Sequence, residues 1–318
     1  MAQELTKRKP GKWWRYLKRA LITLFILAII LVYGVLPYGF ARLVTGATTR
    51  PIDRKLTETP ATFGAEFKDV EFQTSDGIKI SAWRLPSRDK KTTIIFSHGL
   101  FRSRRELLER AVDLWKLGYG ALLYDSRNHG ASGEARVSLG YHERLDAEAA
   151  VKFIHEEISS QDKIVLYGIS MGAVTALMAA AETPEISAVI ADSAFLSFED
   201  TLAHHIKVFL RLPAFPLANE IGYFIEQRAA FDGAKLNALG AVKAMGKVPI
   251  FFISGKLDKR MPPNITEALY NASSSNEKEL MIVEGDQTAI HGHAYQANPQ
   301  IYIDRVNRFL ISALTPKL

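Results

Sequence analysis

Lys163-Ile164-Val165-Leu166-Tyr167-Gly168-Ile169-Ser170-Met171-Gly172-Ala173-Val174 is the stretch that decides the fold. A short apolar run ends in a glycine-flanked serine, and an alanine-rich segment reaching Ala181 follows at once. The pattern is strand, sharp turn, helix. Gly168 and Gly172 carry no Cβ, so strand and helix can approach closely and the serine between them is lifted clear of the sheet. Its hydroxyl then stands at a helix N-terminus, where backbone N–H groups favour a developing oxyanion. The five-residue Gly-x-Ser-x-Gly pattern alone arises by chance in roughly one chain of this length in ten. The strand before it and the helix after it make Ser170 the candidate nucleophile.

Outward from this point the chain alternates between strand and helix periodicity. Residues 66–74 and 79–85 flank Ser75-Asp76-Gly77 and read as a hairpin. Strands are expected at 92–97, 120–124, 188–190, 248–253 and 279–283, with helices at 104–117, 144–158 and 299–314. Such alternation means an α/β domain, a mostly parallel sheet with helices on both faces. Residues 194–246 break it, with Phe195, Phe198, Phe209, Phe215, Tyr223, Phe224 and Phe231 and two prolines between two strands. An insertion of this size is expected to be a helical lid over the site.

A serine nucleophile needs a base, an orienting carboxylate and two oxyanion donors. In open α/β sheets these groups collect at the carboxyl ends of the strands. After 92–97 comes His98-Gly99-Leu100, a tight turn that can aim the Leu100 N–H at a substrate oxygen, with the Met171 N–H as second donor. His98 itself reads as a loop-shaping residue. Residues 125–133 read as a structural brace for the nucleophile turn. After 248–253 comes Ser254-Gly255-Lys256-Leu257-Asp258, which makes Asp258 the expected acid, with Asp192 in reserve. After 279–283 two histidines, His291 and His293, compete for the base, and spacing does not separate them. The order Ser, Asp, His suits this architecture.

The 318 residues suffice for one large α/β domain, and the absence of cysteine excludes disulfides, thiolate metal sites and cysteine nucleophiles. No metal or other cofactor is called for. The net charge of +6 is that of residues 1–19 alone; the rest has 33 basic and 33 acidic residues, so nothing points to a nucleic-acid partner. Residues 20–41 carry no charge and as a helix span about 33 Å, enough for a bilayer core. Trp13, Trp14 and Tyr16 mark one boundary, and Tyr33, Tyr38 and Phe40 the other. An uncleaved signal anchor is expected, without a small-x-small cleavage site behind it. Seven basic residues precede the span and four follow (Arg42, Arg50, Arg54, Lys55), which puts the N-terminus in the cytoplasm and the domain outside. The expected layout is a basic tail at 1–19, the anchor at 20–41, a linker at 42–64 and the domain at 65–318.

Together these residues resemble the α/β-hydrolase superfamily over roughly 66–314, nearest to bacterial serine aminopeptidase-like and dienelactone hydrolase-like enzymes. The resemblance rests on His98-Gly99, the Asp-x-Arg-x-His-Gly-x-Ser run at 125–132, the Gly168–Gly172 turn and the Gly-x-x-Asp at 255–258. Setting His291 as the family histidine brings Tyr295, Asn298-Pro299 and Tyr302 into register; setting His293 there brings none. The resemblance therefore implies His291 as base, His293 as reserve, and an acyl-enzyme on Ser170 hydrolysed by water. Residues 287–290 depart from the usual run before that histidine. The expected activity is hydrolysis of small or medium hydrophobic carboxylic esters, lipid-derived ones included. Amide or peptide hydrolysis and acyl transfer use the same groups, and a non-catalytic binding protein on this fold is the contrasting class.

Overall fold

The computed structural model describes residues 11–285 and 290–315. The strands are β1 (Lys68–Gln73), β2 (Lys79–Leu85), β3 (Thr92–Ser97), β4 (Gly120–Tyr124), β5 (Lys163–Ile169), β6 (Ile186–Asp192), β7 (Ile250–Gly255) and β8 (Lys278–Val283). They form one sheet in the order β1-β2-β4-β3-β5-β6-β7-β8. β1 and β2 are the expected hairpin, β2 meets β4 antiparallel, and every pairing from β4 to β8 is parallel.

Alternation along the strands builds two cores. Ile164 and Leu166 of β5 and Ile250 and Phe252 of β7 face the layer formed by Glu143–Phe153, Met171–Glu182 and Ala238–Ala244. Val165 and Tyr167, with Phe251 and Ile253, face Leu108–Lys116 and Pro299–Leu314. A parallel strand covered on both sides reads as a continuous apolar run, which is why β5 was legible from its composition. The helix Pro263–Ala272 between β7 and β8 was not anticipated; Pro262-Pro263 opens it, and only Thr266 and Leu269 of its ten residues are buried. So sparse a core face leaves little periodic signal.

The insertion after β6 holds helices Phe198–His205 and Leu217–Ala229 joined through Ile206–Leu210. Its last helix, Ala238–Ala244, packs on Met171–Glu182 and serves as the crossover into β7, so the departure from a plain crossover is narrower than 194–246.

The N-terminal helix runs through Lys12–Thr45, with a wider π turn at Leu31–Val35, and is long and apolar enough to cross a membrane. Its end and the first residues after it, at the start of the segment expected as a linker, pack on the domain. Pro37, Ala41, Val44 and Thr45 are buried against the domain. Ala47 and Thr49 are buried as well. The Thr45 carbonyl accepts from Val137 N–H at 3.0 Å, and Thr49 Oγ1 donates to the Arg102 carbonyl at 2.8 Å. Small residues with hydroxyls, which composition marks as linker, here satisfy backbone groups of the site loops.

Candidate active site

β5 ends in a turn that places Ser170 at φ +55°, ψ −116°, strained for a residue with a side chain. Two glycines make the turn possible. A Cβ on Gly168 would lie 2.0 Å from the Gly172 carbonyl oxygen, and one on Gly172 would lie 2.0 Å from that of Ser97. Helix Met171–Glu182 therefore packs directly on the ends of β5 and β3, and Ser170 projects beyond the sheet.

Three side chains from different strand ends meet there. His291 Nε2 is 2.8 Å from Ser170 Oγ, and His291 Nδ1 is 2.8 Å from Asp258 Oδ2. Asp258 is buried and acts only as acceptor, so Nδ1 carries the imidazole proton and Nε2 is left to accept from the serine hydroxyl. The other carboxylate oxygen accepts from the N–H groups of Arg260 and Met261, each at 2.8 Å, which fixes its orientation. Such a relay can take a proton from the hydroxyl as it attacks a carbonyl and return it to a leaving group.

The reserve residues lie elsewhere in the network. His293 stands just before the short helix Ala294–Ala297 and, among the described residues, bonds neither Ser170 nor Asp258. Burial lowers its pKa. Asp192 is buried beneath the site; its Oδ1 and Oδ2 accept from Ser193 Oγ (2.9 Å) and Tyr302 Oη (2.8 Å). Its main chain still matters, because the Asp192 carbonyl accepts from Ser170 N–H at 2.9 Å. Residues 286–289, where the sequence departs from the family run, fall outside the described residues.

Among the described residues the N–H groups of Leu100 and Met171 have no hydrogen-bond partner. Met171 opens its helix, where an N–H has no intrahelical acceptor. His98 shapes the loop before Leu100: its Nδ1–H donates to the Gly99 carbonyl at 2.8 Å and its Nε2 accepts from Ser126 N–H at 3.0 Å. Complete burial pushes its pKa down to about 3, so the ring is neutral.

The 125–133 loop is braced through Asp125. One carboxylate oxygen accepts from Arg104 N–H (2.8 Å); the other accepts from Arg104 Nε (3.0 Å), Arg104 Nη2 (2.8 Å) and Ala131 N–H (2.9 Å). Gly130 has φ +52°, and a Cβ there would sit 1.9 Å from this carboxylate.

Sequence inspection missed Glu106 and Arg110. Glu106 Oε2 accepts from Gly99 N–H at 2.7 Å, and Oε1 pairs with Arg102 Nε at 3.0 Å. Arg102 in turn reaches Asp53 at 3.2 Å, so the segment after the N-terminal helix is tied to the loop that carries Leu100. Arg110 is buried; it donates to the Gly292 carbonyl at 3.0 Å and stacks on Tyr295 and Tyr302. The available signal was a charge on the apolar face of 104–117, beside Leu107, Ala111 and Leu114.

Burial raises the Glu106 pKa from its usual 4.5 to about 7, against the opposing pull of Gly99 N–H and Arg110. The folded state thus holds a proton that the unfolded chain has released between these values, and stability from this group is lost as pH rises through 7. Between pH 5 and 8, Glu106→Gln should therefore gain on the native chain by up to about 3 kcal/mol in denaturant unfolding. A stability difference that does not change with pH across that window would remove Glu106 as the titrating group.

Comparison with known proteins places this architecture. Residues 88–222 match the family described as serine aminopeptidase, S33. The chain belongs to the α/β-hydrolase superfamily. YqkD of Bacillus subtilis is 30% identical over 237 residues, covering 73% of this chain and 77% of that protein. The polyketide transferase af380 of Aspergillus fumigatus is 26% identical over 266 residues, 69% of this chain and 89% of that one. An esterase of Pyrococcus furiosus superposes with a TM-score of 0.67 at 27% identity, covering 83% of this chain and 97% of the esterase.

Proposed function

We propose that the chain is a membrane-anchored serine hydrolase that cleaves carboxylic esters of small to medium hydrophobic acyl groups. The observation that carries this reading is the relay from Asp258 through His291 to Ser170, both steps at 2.8 Å, on a strained turn. Ser170 Oγ attacks the ester carbonyl while His291 Nε2 takes its proton. Asp258 stabilises the imidazolium, and the N–H groups of Leu100 and Met171 hold the oxyanion. The imidazolium gives its proton to the leaving alkoxide. Water, deprotonated by the same histidine, then releases the acid. The structural likeness to the Pyrococcus esterase supports ester chemistry.

In this reading residues 20–41 span the bilayer. The basic excess before the span keeps the N-terminus cytoplasmic and the domain outside. The insertion covers the site as a lid. Acyl transfer to an alcohol is the second reading, supported by the relative named as a polyketide transferase. It needs the same acyl-enzyme, with an alcohol in place of water.

The test is intact-mass analysis of the full chain in detergent after fluorophosphonate treatment, with peptide mapping. One adduct on Ser170, lost in His291→Ala, is expected. A folded protein without adduct would leave a binding role on a hydrolase fold. Product analysis with an added alcohol then separates hydrolysis from transfer.

A further inference from the structure

The insertion carries a run of exposed apolar side chains that the domain does not cover. Phe209, Leu210, Leu212 and Phe215 are each at least half exposed, Phe215 at 76%. The segment reads Ile206-Lys207-Val208-Phe209-Leu210-Arg211-Leu212-Pro213-Ala214-Phe215-Pro216-Leu217. Its two charges, Lys207 and Arg211, are both basic, and no acidic residue lies between Asp200 and Glu220. In water such a surface is unfavourable, and a monomeric domain rarely exposes one without a partner.

The structure says what lies beside it. Helix Leu217–Ala229 packs along the end of the N-terminal helix. The ring of Phe224 meets that of Tyr38 edge-on at 5.6 Å. Arg228 donates to Tyr38 Oη and to Thr45 Oγ1, each at 3.0 Å. Rising residue numbers on one helix thus follow rising numbers on the other, so the two run in the same direction. Leu217–Ala229 also touches Leu31–Val35, which in this parallel arrangement is the level of its start. Those residues lie three to seven positions before Tyr38, or about 5–10 Å deeper along a helix axis. Phe215 and Leu212 directly precede Leu217 in the chain.

We propose that the tip of the insertion, residues 206–217, is seated in the outer interface of the same bilayer that holds the N-terminal helix, so that the site receives acyl esters already dissolved in the lipid. The proposal rests on the reading of 20–41 as a membrane span, and deepens the substrate class. An apolar face with basic flanks inserted about 5–10 Å is the manner in which amphipathic segments bind anionic membranes. Lys207 and Arg211 meet lipid phosphates while Phe209, Leu210, Leu212 and Phe215 enter the acyl boundary. The tip is also tied to the relay. The Arg260 guanidinium lies over the Phe209 ring at 5.8 Å, and Arg260 N–H is one of the two that orient Asp258. The seated tip would thus hold the Asp258 side of the site next to the bilayer.

The chain has no cysteine, so single-cysteine labelling needs no background removal. The full-length variants Phe215→Cys, Ile26→Cys and Lys116→Cys, nitroxide-labelled and reconstituted in phosphatidylcholine–phosphatidylglycerol vesicles, are compared for collision with oxygen and with a water-soluble nickel chelate. Labels at Ile26 and Phe215 should favour oxygen, and the label at Lys116 the chelate. If Ile26 favours oxygen and Phe215 the chelate, the anchor stands and the seated tip is overturned. If Ile26 also favours the chelate, the anchor reading fails and the proposal with it. In turnover, Phe215→Asp should lower hydrolysis of a long-chain ester carried in vesicles about tenfold. Hydrolysis of dissolved p-nitrophenyl acetate should stay within about twofold. An equal change on both substrates overturns direct delivery from lipid.

Discussion

Ser170→Ala should lower ester hydrolysis by roughly 10³-fold or more, and His291→Ala by a similar factor. The two changes together should cost no more than either alone, because a hydroxyl without its base and a base without its hydroxyl are each idle. Asp258→Asn should cost about a hundredfold or more, since an amide at that position no longer fixes the proton on Nδ1 or stabilises the imidazolium. His293→Ala should stay within about threefold, because the two 2.8 Å contacts run through His291. Steady-state rates on p-nitrophenyl butyrate, with folding checked by circular dichroism, decide the matter. An active His291→Ala beside a dead His293→Ala would reverse the assignment of the base. Full activity in Ser170→Ala would end the nucleophile reading.

Asp125→Ala should destabilise the fold by about 3–5 kcal/mol, the range for breaking a buried ion pair by removing one partner. Arg104 and Asp125 are both nearly inaccessible, and the carboxylate accepts four hydrogen bonds. Burial alone would raise the Asp125 pKa, but the charge and hydrogen bonds of Arg104 hold it below the usual range. Its contribution is therefore present at neutral pH and lost as pH falls through the lowered value. Denaturant unfolding of the variant should show both the loss at pH 7 and a flatter acid limb than the native chain. A loss below about 1 kcal/mol would mean that water reaches Arg104 once the carboxylate is gone.

The glycine-flanked serine after an apolar run was legible because its constraint is local. A side chain cannot occupy Gly168 or Gly172 without meeting backbone at 2.0 Å, so chemistry and turn share five residues. Asp258 was legible by its place after a strand. The choice between His291 and His293 was not legible from spacing; it needed the register of Tyr295 and Tyr302 behind it. Glu106 and Arg110 carried almost no signal, since a charge in an amphipathic helix is ordinarily solvated. Their burial is decided by what lies across from them, Gly99 in one case and Gly292 in the other. The packing of residues 44–49, at the start of the segment expected as a linker, was hidden for the same reason. Thr45 and Thr49 look solvated in sequence and are in fact paired with Val137, Arg102 and Gly130.

Periodicity and turn chemistry were enough, by themselves, to define an α/β sheet, a serine turn and an apolar N-terminal helix, because each depends on neighbours within a few residues. The tertiary structure supplied the contact of His291 with Ser170 that the Tyr295 and Tyr302 register had only implied, and it alone decided that the N-terminal helix packs along the insertion. Both depend on contacts between residues more than a hundred positions apart, as in the Ser170–His291 and Tyr38–Phe224 pairs. Local pattern carries no information about which distant surfaces meet; chain packing does.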